Sequence, residues 1–103
     1  MKRIVNGKRY NTGTATLLCN ISRGGFSRSD FAYDDTNLYI TDKGNFFIAG
    51  EGGASSRWAE RHGNNATCEG YGLRPIDKND ARALLEQYGS AAQVEEHFTV
   101  EEA

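Results

Sequence analysis

Proline occurs once in the 103 residues, at Pro75, and cysteine twice, at Cys19 and Cys68. Two cysteines so far apart are too few for a disulfide scaffold, so reduced thiols in a cytoplasmic protein are expected. No apolar run approaches the ~20 residues that a membrane span needs. Met1-Lys2-Arg3 leads directly into Ile4-Val5-Asn6-Gly7, with no apolar signal-peptide core. There is no internal repeat, low-complexity tract or linker. With 38% hydrophobic and 25% charged residues and 12 glycines, the composition is globular rather than disordered. The expectation is one domain over residues 1–103, with residues 99–103 a frayed acidic tail.

Catalytic machinery is equally sparse. A metal site needs several converging ligands, whereas Cys19, His62, Cys68 and His97 are scattered, without a Cys-x-x-Cys or His-x-x-x-His spacing. Cys68 lies near enough to His62 in sequence for a thiolate–imidazole pair, but neither an orienting group nor an oxyanion hole accompanies it. Gly50-Glu51-Gly52-Gly53-Ala54-Ser55-Ser56 superficially resembles a phosphate cradle. It lacks the Walker lysine and carries Glu51, so a tight strand-to-helix corner is the better reading. No catalytic residue, metal ligand or cofactor is assigned, and the chain is read as a non-enzyme.

What is present reads as a small α+β protein. Asn6-Gly7 between Ile4-Val5 and Lys8-Arg9-Tyr10 predicts an N-terminal hairpin, because both turn positions accept a positive φ. Thr12 has the character of a helix N-cap, with Ala15, Leu18, Cys19 and Ser22 at helical spacing and Gly24-Gly25 as the stop. Asn37-Leu38-Tyr39-Ile40-Thr41 and Asn45-Phe46-Phe47-Ile48-Ala49-Gly50 around Asp42-Lys43-Gly44 predict a central hairpin. Phe31 and Tyr33 either begin its first strand or form a separate one. Ser55 or Ser56 is read as capping a short helix through Trp58 to Gly63, followed by a loop and a strand from Tyr71 to Ile76. Asp77 then caps a helix whose Ala81, Leu84, Leu85 and Tyr88 form one apolar stripe, and Ser90 with Gln93 opens another as a capping box. The predicted architecture is a small antiparallel sheet (N-terminal hairpin, central hairpin, one further strand) packed by three to four short helices.

The net charge of −2 hides an asymmetry: residues 1–30 carry net +5 and residues 76–103 net −5. Polarised surfaces steer association with charged partners. Tyr33, Asp34, Asp35, Tyr39, Asp42 and Glu51, with Glu95 and Glu96, form the candidate surface for a basic protein partner, because acidic groups steer and aromatics anchor. Lys2, Arg3, Lys8 and Arg9 around the first hairpin form the alternative, a nucleic-acid contact. The overall acidity, pI ≈ 5.6, opposes a large footprint on nucleic acid. A homodimer using an edge strand or the terminal helices is a third reading.

Six stretches carry a resemblance. They are Lys2-Arg3-Ile4-Val5-Asn6-Gly7-Lys8-Arg9-Tyr10-Asn11-Thr12 with Thr14-Ala15, Asp30-Phe31, Leu38-Tyr39-Ile40-Thr41, Lys43-Gly44-Asn45-Phe46-Phe47, Gly50-Glu51-Gly52-Gly53, and Glu95-Glu96-His97-Phe98. In order and spacing they resemble a family of small proteins carried by bacterial mobile elements and phages, most without an assigned activity. Cys19-Asn20-Ile21-Ser22 departs from the aromatic-containing segment of that family. The resemblance implies a place among anti-defence genes, including anti-CRISPR genes. It implies a small binder that blocks a CRISPR–Cas effector in the cytoplasm of a bacterial host.

Overall fold

The computed structural model describes residues 1–22, 33–53, 56–62, 66–68 and 70–103, with backbone alone at 60–62 and 66–68. The feature most directly dictated by local chemistry is the hairpin of β1 (Lys2–Val5) and β2 (Lys8–Asn11). Asn6 and Gly7 both take positive φ, 51° and 76°, the geometry that lets two strands twist together over a two-residue turn.

The largest sheet is built from β3 (Thr16–Asn20), β4 (Asp34–Ile40), β5 (Phe46–Gly52) and β8 (Gly70–Ile76), in the spatial order β3-β4-β5-β8. Every pairing is antiparallel. The β4–β5 turn closes over Asp42-Lys43-Gly44, with Gly44 at φ 85°. A short pair, β6 (Glu60–His62) with β7 (Ala66–Cys68), is inserted between β5 and β8. The chain ends in α1 (Lys78–Tyr88) and α2 (Ala91–His97).

The period-two alternation of the strands gives the sheet two different covers. Leu18, Ile21, Leu38, Phe46 and Ile48 pack with Trp58 against Ala81, Leu85 and Val94 of the helices. Phe47, Ala49 and Leu73 face the other way and pack beneath Tyr10 of the first hairpin. Phe47 stacks on Tyr39 with ring centroids 5.0 Å apart and meets Tyr10 edge-on at 5.5 Å. The order of layers is therefore helices, sheet, hairpin. No described helix is long and apolar enough to cross a membrane.

The expectation of three to four helices on a small sheet is overturned. Among the described residues the protein is mostly sheet, with six strands in two principal sheets, one additional short pair, and two helices. Thr12 caps no helix; its hydroxyl bonds to the Met1 carbonyl instead. The segment read as helical is β3, and its register shifts between Leu17 and Cys19. That bulge turns Leu18 and Cys19 both toward the helix side, so the strand shows no clean alternation. The second lost helix is a turn at Ser56–Trp58. The Ser56 hydroxyl donates to the Gly53 carbonyl (2.7 Å) and accepts from the Trp58 N–H (3.2 Å), a local pattern that competes with a helical turn. Ser55 and the expected glycine stops at Gly24-Gly25 and Gly63 lie outside the described residues, as does Phe31.

The C-terminal caps form as read. Asp77 accepts from the Asp80 N–H at 2.8 Å, and Ser90 with Gln93 makes a reciprocal capping box. The Gln93 amide also donates to the Leu18 carbonyl, tying α2 to the sheet's terminal strand.

Candidate interaction face

Strand alternation puts Asp35, Asn37 and Tyr39 of β4 on the side of the sheet away from the helices. The register then lines them up across the sheet. Asp35 lies opposite Glu51, and Glu51 opposite Tyr71. Asn20 lies opposite Asn37, which lies opposite Ala49. The first hairpin covers part of this side but leaves the Asp35–Glu51–Tyr71 row at its margin. A groove of about 360 Å³ opens there between Thr12 and the row, floored by Asn37 and Tyr39.

Two carboxylates placed directly across a strand pair repel one another. Neutral donors offset part of that cost. Asn20 Nδ2 donates to Asp35 Oδ1 (3.2 Å) and to Asn37 Oδ1 (3.0 Å), and the Ser22 hydroxyl reaches Asp35 Oδ1 at 3.4 Å. The Tyr33 hydroxyl donates to Glu51 Oε1 at 3.3 Å. Beside them the Tyr71 ring is 73% exposed, which is unusual for a large aromatic. The arrangement can receive a cation: negative charge, held in place by hydroxyls and amides, lies next to an accessible ring face.

Four of the candidate residues thus meet, namely Tyr33, Asp35, Tyr39 and Glu51. The other four do not. Asp34 points to the opposite side of β4 and is buried. Its Oδ2 lies 2.8 Å from Arg57 Nη2, although no hydrogen bond of good angle reaches that oxygen. Its Oδ1 accepts from the Thr36 hydroxyl, which in turn accepts from Trp58 Nε1 at 2.8 Å. Asp34 is therefore part of the interior. Asp42 sits in the β4–β5 turn at the far end of the strand. Glu95 and Glu96 are exposed on α2, in the layer beyond the sheet, where Glu96 lies 4.0 Å from His97. Of the basic set, Lys2, Lys8 and Arg9 are exposed, whereas Arg3 donates to the Leu73 carbonyl at 2.9 Å and pins the hairpin to β8.

No family model, curated protein or solved structure matches the chain.

Sequence reasoning missed Tyr71, Asn20 and Asn37. The alternation of Tyr71, Leu73 and Pro75 was a usable signal, since it puts all three on one side of β8. In the glycine-rich segment after Ile48, Gly50 and Gly52 lie within β5, against β4 and the Ser56 turn, while Ala54 and Ser55 lie outside the described residues. The side chains of His62 and Cys68 lie outside the described residues.

Cys19 is half-buried beside the helix-side core, and burial pushes its thiol pKa up from the usual value. The thiolate is the reactive form, so Cys19 is expected to alkylate several-fold more slowly at pH 8 than a free thiol. Peptide mass spectrometry after timed iodoacetamide treatment checks this site separately from Cys68. The sign for stability follows from the raised folded-state value. The contribution is fully present below the unfolded thiol's pKa and is lost as pH rises through the folded one.

Proposed function

We propose that the chain is a small non-enzymatic binder that inhibits a bacterial defence complex, in the first place a CRISPR–Cas effector. It presents the Asp35–Glu51–Tyr71 row to a basic patch on that complex. The observation that carries the reading is this row: two acidic residues opposite one another on neighbouring strands, beside an exposed aromatic. A lysine- or arginine-bearing partner would meet these carboxylates and use Tyr71 as an anchor. Effectors that hold nucleic acid expose basic channels of the required sign. The resemblance to small mobile-element proteins supports the same assignment.

The test is a plasmid-interference assay joined to a pull-down from host lysate. The native protein should suppress interference and retain effector subunits. Asp35→Lys with Glu51→Lys should weaken capture at least tenfold and restore interference, with the circular dichroism spectrum unchanged. Normal interference in the presence of the native protein, across every CRISPR type of the host range, would exclude the proposal.

A further inference from the structure

The turn end of the sheet holds a second concavity, opposite in charge to the row just described. It lies between the first hairpin and the β4–β5 turn and has a volume of about 390 Å³. Lys8 and Arg9 line it from the hairpin, Lys43 and Asp42 from the β4–β5 turn, and Asn11 and Asn45 supply neutral amides. Two turns, distant in sequence, thus bring three cations and one anion to one cleft. Among the described residues neither Lys8, Arg9 nor Lys43 makes an ion pair or a side-chain hydrogen bond, and the same holds for Asp42. Three cations gathered without an internal partner repel one another, and one carboxylate offsets only part of that.

We propose that this cleft binds phosphate groups of a small or terminal kind: a nucleotide, or the phosphorylated end of a single strand. Lysine supplies point charge and arginine a planar fork, and both suit phosphate oxygens. The volume lies in the range of small-ligand pockets and exceeds what a lone ion fills. An extended polyanion fits poorly. The same strands β4 and β5 carry Asp35 and Glu51 at their other end, and the whole chain is net negative. A strand laid along the sheet would meet repulsion within a few nucleotides.

The experiment follows backbone amides of the isotope-labelled protein during titration at low salt. One arm uses inorganic pyrophosphate and the other a short single-stranded oligonucleotide bearing a 5′-phosphate. Shifts confined to Gly7, Lys8, Lys43, Gly44 and Asn45 are expected in both arms. Lys8→Ala with Lys43→Ala should lower affinity at least tenfold without moving the melting temperature, because both side chains are exposed. Lys78→Ala, on α1, should leave affinity unchanged. Tighter binding of the oligonucleotide, with log affinity falling against log salt at a slope of about −2, assigns the site to strand ends. Equal binding in the two arms assigns it to small phosphates. Absence of shifts at these amides up to about 10 mM pyrophosphate, or shifts that persist in the double variant, overturns the proposal.

Discussion

Gly50→Ala should cost about 3 kcal/mol or more of folding stability, lowering the melting temperature by roughly 15 °C or leaving little folded protein. Gly50 pairs with Thr36 inside the β4–β5 ladder, next to its central Asn37–Ala49 pair. A methyl group there would sit 2.7 Å from Thr36 Cα and 3.0 Å from the Asp35 carbonyl carbon, with the Asp35 oxygen closer still. These are backbone atoms, so no side-chain rotation can relieve the overlap. The two central strands would have to part, and they carry Leu38 and Ile48 to the helix-side core and Tyr39 and Phe47 to the other. Thermal unfolding followed by circular dichroism checks the size of the effect. Gly44→Ala provides a contrast: nothing lies within 4 Å of its added methyl, so only the strain of φ 85° is left. An equal loss for the two variants would mean that the crowding at Gly50 is not the cause.

Asp34→Ala should destabilise the protein by about 3 kcal/mol, because removing one member of a buried pair strands its partner. Arg57 Nη2 would lose the carboxylate at 2.8 Å, and the Thr36 hydroxyl its acceptor. The Arg57 side chain is 24% exposed, so it can recover part of its hydration, which holds the figure to the lower part of the usual range. Arg57 also donates to the Ile21 carbonyl at 3.3 Å, and its own carbonyl accepts from Arg74 at 3.4 Å. Arg74 in turn lies over the Trp58 ring, 5.1 Å from its centroid. The loss should therefore spread from β4 into the Ser56–Trp58 turn and the edge of β8. Urea denaturation of Asp34→Ala, Arg57→Ala and the double variant tests the coupling. The double variant should be less damaged than the sum of the singles by 1 kcal/mol or more. Strict additivity would show that the pair does not act as a unit.

What could be read from the chain in advance was whatever rests on short-range stereochemistry. Asn6-Gly7, Asp42-Lys43-Gly44, Asp77 and the Ser90–Gln93 box each fix their turn or cap within four residues, and each forms. What failed depended on distant partners. Leu17-Leu18-Cys19 hides a strand because a bulge puts two successive side chains on one side, and pairing with β4 outweighs the helical spacing. Arg57-Trp58-Ala59 has helix-compatible composition, yet the Trp58 indole reaches Thr36, 22 residues back, and packs on Gly72. The candidate face failed for the same reason in part. Tyr33, Asp35 and Glu51 were visible as residues. Only the ladder register shows that Glu51 stands between Asp35 and Tyr71, and that Asp34 turns inward one position away.

The bulge in β3 has a further consequence. A strand at the end of a sheet offers its outer amides and carbonyls to any other extended chain, which is the usual route to aggregates. Here the ladder is broken at Leu18, and the carbonyl of that residue is already occupied by the Gln93 amide. An incoming strand would find the repeat interrupted after two residues. The same glutamine that fixes the start of α2 thereby occupies an acceptor that an edge-pairing strand would otherwise use.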